Sequence, residues 1–170
     1  MFVEVATVAL VDDDVHNSRD EIIHGLWIGD IYSARDADAL REDHISSVLS
    51  VYRGQVDIAK VGPRQTDSDL VLDDTENVDV LSLLPDCIAF IGGELEKGRG
   101  VLVHCEAGMS RSAAVVAAYL MQANHVDISE ALKIVRTARR NAQPNVGFLR
   151  QLEAFYQALD KSKWPHDFAS

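Results

Sequence analysis

Cysteine is scarce in this chain: its 170 residues include only Cys87 and Cys105. Two cysteines cannot form the disulfide network that stabilises many small secreted domains, nor a four-cysteine zinc site. The N-terminus also lacks a basic segment followed by an apolar core, so nothing in the sequence indicates secretion. We therefore expect an intracellular protein, cytoplasmic or nuclear, whose cysteines stay reduced.

Positive charge and long apolar runs are also in short supply. With 16 Lys and Arg against 27 Asp and Glu, the formal net charge is −11, which opposes nonspecific attraction to nucleic acids and anionic membranes. The longest strongly apolar stretch of the second half, Ala113 to Met121, is much shorter than the ~20 residues that cross a bilayer. We expect neither nucleic acid nor membrane as a partner, and an anionic substrate would need a local binding site.

Apolar residues, in contrast, are plentiful and patterned. At 47% hydrophobic residues the chain can bury one substantial core, which favours a single domain. We expect an N-terminal extension or edge strand in residues 1–20, which include the apolar run Phe2–Val11. The main domain is expected at 21–160 and a tail at 161–170.

From Glu21 onward, strand and helix patterns alternate, which predicts an α/β fold: a mostly parallel twisted sheet flanked by helices on both faces. The predicted strands are Ile22–Ile28, Ile45–Tyr52, Leu70–Leu72 and Val101–Val103. Five helices are predicted. The first is capped near Ser33, and the second carries an apolar stripe formed by Leu81, Leu84, Ile88, Ile91 and Leu95. The third spans Ala113–Met121, the fourth begins at a capping box formed by Asp127 and Glu130, and the fifth follows Pro144 and Asn145. Pro85 fits the second helix if Ser82 is its N-cap, whereas a start near Asp79 would require a kink.

The segment His104–Ser112 stands between a short apolar strand and an apolar helix. Consecutive N–H groups in such a turn, together with the positive end of a helix dipole, can hold a phosphoryl group. Gly108 supplies backbone freedom and leaves room for bound oxygens, and the planar guanidinium of Arg111 can clamp two of them. In that positive field we expect Cys105 to be a thiolate, the form that attacks as a nucleophile.

Each of these side chains also has a purely structural interpretation. Cys105 would then be a small buried side chain and Arg111 a surface cation, as isolated Cys and Arg residues usually are. The chemical interpretation is favoured, because Gly108, Ser112 and the strand-to-helix context coincide with the Cys-x5-Arg spacing. Cys87 lies on the apolar face of its predicted helix and is expected in the core, with a disulfide to Cys105 as the alternative.

The sequence His-Cys-x-Ala-Gly-x-Ser-Arg-Ser resembles the signature of the protein tyrosine phosphatase superfamily, in the form of its dual-specificity branch. Other segments are similar to the same branch: Gly25–Gly29, Ala118–Met121 and Asn145–Leu152. The segments Asp79–Ser82 and Cys87–Ile91 look most similar to the Yvh1-type subgroup, whose members continue into a C-terminal zinc-binding region. The chain has too few cysteines for that region and resembles the catalytic domain alone, with a protein tyrosine phosphatase-like fold.

The resemblance implies hydrolysis of phosphate esters through a phosphate bound covalently to Cys105, without a metal or cofactor. It also implies a general acid on an upstream loop. The family register selects Asp74, 31 residues before Cys105, and leaves the neighbouring Asp73 as the alternative. Ser112 is expected to donate its hydroxyl to the thiolate, with capping of the following helix as another role.

Supporting roles are expected for the residues around these groups. His104 is expected to brace the loop through hydrogen bonds, because a metal role would need a second ligand nearby in sequence. Asn145 resembles an asparagine that supports this loop in the family, and it also fits an ordinary N-cap. The phosphate itself is expected to be bound by Glu106, Ala107, Gly108, Met109, Ser110 and Arg111.

The expected substrates are phosphorylated proteins. The chain resembles enzymes without the extra loop that deepens the pocket of tyrosine-only phosphatases, so phosphotyrosine, phosphoserine and phosphothreonine are all expected to enter. Glu106, Ala107 and Met109 stand where phospholipid phosphatases of the superfamily often carry lysines, which argues against a polyanionic lipid or RNA substrate. The alternatives are a catalytically weak phosphoprotein-binding module, a phosphatase of non-protein esters and a rhodanese-like sulfur transferase; the oligomeric state stays open.

Overall fold

The computed structural model describes residues 19–54, 56–62 and 65–164, and the predicted extension around Phe2–Val11 lies outside these residues. The strands are β1 Arg19–Ile23, β2 Leu26–Gly29, β3 Ile45–Tyr52, β4 Thr66–Val71 and β5 Gly100–His104. The helices are α1 Ile31–Arg35, α2 Ala37–Glu42, α3 Leu84–Glu96, α4 Arg111–Ala123, α5 Ile128–Ala138 and α6 Val146–Ala158. Two 3-10 turns lie at Leu81–Leu83 and Lys161–Lys163.

The five strands form one sheet in the order β1-β2-β5-β3-β4. Only β1 runs antiparallel to its neighbour; the pairs β2–β5, β5–β3 and β3–β4 are parallel. The middle strand β5 is buried along its whole length. Because parallel strands need covering layers on both faces, their sequences are apolar throughout, as Val101–Val103 is. The segment that follows β5 therefore leaves the centre of the sheet at its carboxyl edge.

Helices cover both faces of the sheet, as the sequence predicted. Neighbouring side chains of β5 point to opposite faces. Val101 and Val103 enter the larger core with α3, α4, α5 and α6, whereas Leu102 enters a smaller core with Ala34 and Leu40 of α1 and α2. Among the described residues, none of the helices combines the length and apolar character needed to cross a membrane.

Two predictions near the N-terminus are wrong in detail. The segment Ile22–Ile28 is a hairpin, not one strand, because the chain turns at His24 and Gly25 and pairs Ile23 with Leu26. Only His24 and Gly25 interrupt the apolar pattern of this segment, so the signal for the turn in the sequence is weak. The cap near Ser33 is also misplaced: the Asp30 carboxylate accepts the Ser33 N–H at 2.8 Å, so Asp30 caps α1 and Ser33 lies in its first turn.

The start of α3 differs from the expectation in a similar way. The 3-10 turn precedes the helix, and Pro85 lies in the first helical turn, where its missing N–H breaks no hydrogen bond. Ser82 does not cap the helix; its N–H donates to Asp79 Oδ1 at 3.0 Å. Strand β4 spans Thr66–Val71 rather than the predicted Leu70–Leu72, because polar residues occupy its half-exposed start.

The predicted bounds hold better where the apolar pattern is strong. Strand β3 has the predicted bounds, and α4 contains the whole predicted run Ala113–Met121. Asp127 caps α5 by accepting the Glu130 N–H at 2.8 Å. The Glu130 carboxylate contacts Lys133 instead of returning to the cap, so half of the predicted capping box is present.

A buried carboxylate attaches α3 to the sheet. Glu94 is 4% exposed and accepts hydrogen bonds from Ser47 of β3 at 2.7 Å, Lys97 at 2.7 Å and Arg99 at 2.6 Å. Burial opposes its ionisation, but the three hydrogen bonds outweigh burial and lower the pKa of Glu94 to about 2. Glu94 therefore fixes α3 behind the central strands as an ionised group.

Candidate active site

A cleft of about 680 Å³ lies at the carboxyl end of β5, where the chain turns into α4. We call residues Cys105–Ser110 the phosphate loop. Cys105 is 2% exposed, yet it reaches the wall of the cleft. The residues that line the cleft come from the phosphate loop and α4, from the segment after β4 and from the start of α6: Asp74, Cys105, Glu106, Ala107, Met109, Ser110, Arg111, Gln143, Pro144, Asn145, Val146 and Leu149.

Arg139, just after α5, holds the phosphate loop from outside the cleft. Its Nε donates to the Gly108 carbonyl at 2.6 Å and its Nη2 to the Ala107 carbonyl at 3.0 Å. Asp20 of β1 balances the buried charge through a 2.8 Å bond to Nη1. Because Arg139 takes the carbonyl oxygens on the outer side, the loop N–H groups are available to an anion in the cleft.

Gly108 satisfies two conditions of this packing. Its φ of +65° lies in the left-handed region that favours glycine. A Cβ at this position would lie 2.6 Å from both Gly29 O and Arg139 Nη2. The sequence predicted the need for glycine, and the structure adds a second reason for it, the close approach of Gly29 and Arg139 behind the loop.

Ser112 lies beside the cysteine sulfur. Its Oγ is 3.2 Å from Cys105 Sγ, and both residues are buried. The N-cap position of α4 belongs to Ser110, so Ser112 does not cap the helix. A hydroxyl at this distance can donate to a thiolate and stabilise its charge.

His104 braces the loop as a neutral ring. Its Nδ1 lies 3.1 Å from the Cys105 carbonyl oxygen, which only accepts hydrogen bonds, so Nδ1 carries the proton. Nε2 then accepts from the Ser50 hydroxyl of β3 at 2.9 Å. Burial lowers the pKa of His104, in agreement with the neutral form. Both contacts connect the phosphate loop to the sheet.

Arg111 is 6% exposed and presents part of its guanidinium to the cleft. Nη1 donates to the Leu72 carbonyl at 3.2 Å, and the guanidinium carbon lies 5.5 Å from the centre of the Tyr52 ring. Nη2 is 3.6 Å from a carboxylate oxygen of Glu106. Among the described residues, Arg111 Nε is the one buried side-chain polar atom without a hydrogen-bond partner. A bound oxyanion would supply the missing acceptor.

The structure separates the two adjacent aspartates. Asp74 Oδ1 accepts from Ser110 Oγ at 2.7 Å and from Asn145 Nδ2 at 2.8 Å, and Asp74 lines the cleft. Asp73 is not among the residues that line the cleft, and its Oδ1 lies 3.3 Å from Arg53 Nε. The geometry therefore favours Asp74 as the carboxyl group that can reach a bound ester.

Asn145 connects the start of α6 with both sides of the cleft. Its Oδ1 caps the helix by accepting the Phe148 N–H at 2.9 Å, while its backbone N–H donates to Ser110 Oγ at 3.0 Å. The first turn of α6 packs closely on the segment that follows Asp74, since a Cβ on Gly147 would lie 2.0 Å from the Glu76 carbonyl oxygen. Asn145 therefore caps α6 and also contacts the phosphate loop through Ser110.

Cys87 lies in the larger core, as predicted, and both cysteines are free. Burial and the neighbouring Asp86 raise the pKa of the Cys87 thiol to about 12. A protonated thiol is a poor nucleophile, which argues against a redox role.

Sequence reasoning missed two partners of the phosphate loop. Arg139 lies among several cations at the end of α5, and Ser50 lies within the predicted strand Ile45–Tyr52. The signal for Arg139 was an Arg-Arg pair at a helix end, which the helix dipole alone already explains. The signal for Ser50 was a small polar residue in a fully buried strand, where a hydroxyl needs a partner.

A mostly parallel sheet with a Cys-x5-Arg loop after its middle strand is the arrangement of the cysteine-dependent phosphatases. The family model described as "Dual specificity phosphatase, catalytic domain" matches residues 26–158, so the chain belongs to the dual specificity phosphatases. This result confirms the family predicted from the signature loop. The chain is accordingly a protein phosphatase of the α/β class.

Individual relatives agree with this assignment. Dual specificity protein phosphatase 1B of Arabidopsis thaliana is 36% identical over 142 residues, which cover 82% of both chains. Dual specificity protein phosphatase 12 of Mus musculus is 40% identical over 141 residues, 82% of this chain but 41% of the mouse protein. The solved Yvh1 phosphatase domain of Chaetomium thermophilum has a TM-score of 0.75 and 30% identity, covering 82% of this chain and 96% of that domain.

Proposed function

We propose that Cys105, Arg111, Asp74 and Ser112 are the catalytic residues of this phosphatase. The single observation that carries the proposal is the cleft itself, which brings the Cys105 thiol, the Arg111 guanidinium and the Asp74 carboxyl together from three segments. Backbone N–H groups of Glu106 to Ser110 complete the phosphate site. His104 and Asn145 hold this arrangement without contacting the reacting atoms.

In the first step, the Cys105 thiolate attacks the phosphorus of the bound monoester. A sulfur–phosphorus bond forms while the bond from phosphorus to the ester oxygen breaks. Asp74, in its acid form, gives its proton to the leaving oxygen, so that an alcohol or phenol departs. Arg111 pairs with two oxygens of the transferred group and stabilises their charge.

In the second step, water attacks the phosphorus of the cysteinyl-phosphate. Asp74, now a carboxylate, takes a proton from this water. The sulfur–phosphorus bond breaks, inorganic phosphate forms and the thiolate returns. The Ser112 hydroxyl, 3.2 Å from the sulfur, stabilises the departing thiolate.

Phosphorylated proteins are the substrates, and we propose that phosphotyrosine, phosphoserine and phosphothreonine are all hydrolysed. Met109, Val146 and Leu149 form an apolar part of the cleft wall that can contact an aromatic ring or an aliphatic side chain. Val146 is 41% and Met109 37% exposed, so this wall is open at its rim. We further propose that residues 21–160 form the catalytic domain, that it works inside the cell, and that neither nucleic acid nor membrane is its substrate.

Hydrolysis of aryl phosphates tests the proposal. Cys105→Ser should abolish turnover, and Asp74→Ala should lower kcat roughly 10²–10⁴-fold and remove the limb of the pH profile that requires the protonated acid. Asp73→Ala, which alters the neighbouring carboxylate outside the cleft, is the matched control. Full activity of Cys105→Ser would disprove the assignment of Cys105 as the nucleophile. A larger loss of kcat in Asp73→Ala than in Asp74→Ala would assign the general acid to Asp73 instead.

A further inference from the structure

Glu106 has an unusual place in a site for anions. It follows the nucleophile directly, and its backbone carbonyl accepts the Ile31 N–H of α1 at 3.1 Å. The backbone is therefore fixed, whereas the side chain is 67% exposed and lines the cleft. The Glu106 carboxylate lies at the edge of the phosphate site, and the shape of the loop depends on the backbone of Glu106 and not on this side chain.

The charges of the cleft are unbalanced. Among the described residues that line it, Arg111 is the one cation, while Asp74 and Glu106 both carry carboxyl groups. Arg111 Nη2 lies 3.6 Å from Glu106 Oε2. One phosphate group on the substrate is enough to occupy this guanidinium. A second anionic group in the cleft would face Glu106, and the described lining residues include no second cation to receive it.

We infer that Glu106 is a specificity-determining residue that selects singly phosphorylated sites with a lysine or arginine beside the phosphorylated residue. This inference rests on the proposed function, because the Glu106 carboxylate loses its partner only when the substrate phosphate takes Arg111. A cation on the substrate then replaces the guanidinium as the partner of Glu106. An acidic neighbour or a second phosphate is repelled at the same place.

Matched phosphotyrosyl peptides test this selection. One set carries Lys, Gln or Glu before the phosphotyrosine and a second set carries them after it. For wild type, kcat/KM for the Lys peptide should exceed that for the Glu peptide by about fivefold in at least one set, as for a solvent-exposed charge pair. The ratio should approach one in Glu106→Gln and invert in Glu106→Lys.

The ratio within each variant is the readout, so it is independent of changes in overall activity. A purely structural role of Glu106 would change kcat/KM for all peptides alike and leave the ratio unaltered. The wild-type ratio should also shrink between 0.05 M and roughly 0.5 M salt, because salt screens exposed charges. Glu96→Lys, an exposed substitution on α3 that changes the net charge equally, should keep the wild-type ratio.

Each outcome supports or overturns the inference. A wild-type ratio near one, a ratio unchanged in Glu106→Gln, or an equal shift in Glu96→Lys overturns it, while hydrolysis itself still supports the proposed function. If wild type hydrolyses neither the peptides nor an aryl phosphate, or if Cys105→Ser is as active as wild type, the proposed function fails and the inference fails with it.

Discussion

The Ser110 hydroxyl donates a 2.7 Å hydrogen bond to Asp74 Oδ1, which joins the phosphate loop to the segment that carries the proposed acid. Asn145 adds a second donor to the same oxygen. With Oδ1 occupied, Oδ2 is the oxygen available to carry the proton that the leaving group needs. The position of the proposed acid is thus fixed by a residue of the phosphate loop, Ser110, and by Asn145.

Ser110→Ala should weaken acid catalysis. Loss of the hydrogen bond to Asp74 is expected to lower kcat about tenfold for phenyl phosphate, whose leaving oxygen needs a proton. The loss should be smaller for p-nitrophenyl phosphate, whose phenolate leaves readily. Ser82→Ala, in the exposed turn before α3, is the control. Equal losses on both esters would mean that Ser110 acts through phosphate binding alone.

Arg139→Lys should damage phosphate binding. Lysine keeps the charge opposite Asp20 but cannot donate to the Gly108 and Ala107 carbonyls together. We expect the inhibition constant of inorganic phosphate to rise about tenfold, measured as competition against an aryl phosphate. Arg140→Lys, at the exposed neighbouring position, should leave it unchanged. Normal phosphate affinity in Arg139→Lys would refute the role assigned to Arg139.

Stability should fall as the pH drops below about 6.5, because burial lowers the pKa of His104 in the folded state. As the pH falls, the unfolded chain protonates this histidine before the folded protein does. The neutral His104 ring therefore contributes to stability above its ordinary pKa, and this contribution is lost as the pH falls through the lowered pKa of the folded state. Urea unfolding at pH 7, 6 and 5 should show a slope of up to about 1.4 kcal/mol per pH unit from this group. His104→Gln should flatten the slope, whereas His24→Gln, at an exposed position, should not.

Glu94→Gln should destabilise the fold by about 3 kcal/mol at pH 7, since it removes the buried carboxylate that pairs with the half-buried guanidinium of Arg99 and accepts a hydrogen bond from Ser47. The pKa of Glu94 falls from 4.5 to about 2 on folding. The ionised group therefore stabilises the protein above pH 4.5, and this stabilisation disappears as the pH falls toward 2. Urea unfolding of both proteins at several pH values measures the difference. A difference that persists at the acid end would contradict the role of ionisation, and Glu96→Gln serves as the exposed control.

Cys87→Ala should leave the reaction of the enzyme with thiol-modifying reagents unchanged. With a pKa of about 12, the Cys87 thiol stays protonated, so iodoacetate should inactivate the enzyme through Cys105 alone. Inactivation rates of wild type and Cys87→Ala should agree within about twofold, and inorganic phosphate should protect both equally. Inactivation of Cys87→Ala several-fold more slowly than wild type would show that Cys87 reacts as well, and would support the alternative redox role of Cys87.

The fold and the centre of the site follow from sequence wherever the signal is local. Strand β3, helix α4 and the phosphate loop are each encoded by a continuous segment whose apolar pattern or residue types leave few alternatives. The hairpin at His24 and Gly25 was not predicted because apolar residues flank the turn on both sides, Ile22 and Ile23 before it and Leu26–Ile28 after it. Its turn contains a single glycine and no polar cluster to mark it.

Contacts between distant segments could not be predicted in this way. Arg139 meets Gly108, and His104 meets Ser50, only because the tertiary fold brings them together. The family register already selected Asp74 over Asp73, and the contacts of Asp74 with Ser110 and Asn145 add a physical argument for that choice.

The position of β5 in the sheet also has a consequence for folding. Leu102 pairs with Trp27 on one side and with Val48 on the other, so the middle strand can be placed only after two long loops close. Such non-local pairings form slowly and late. The phosphate loop follows directly from this strand, and we therefore expect the loop to reach its final shape around Cys105 only in the last stage of folding.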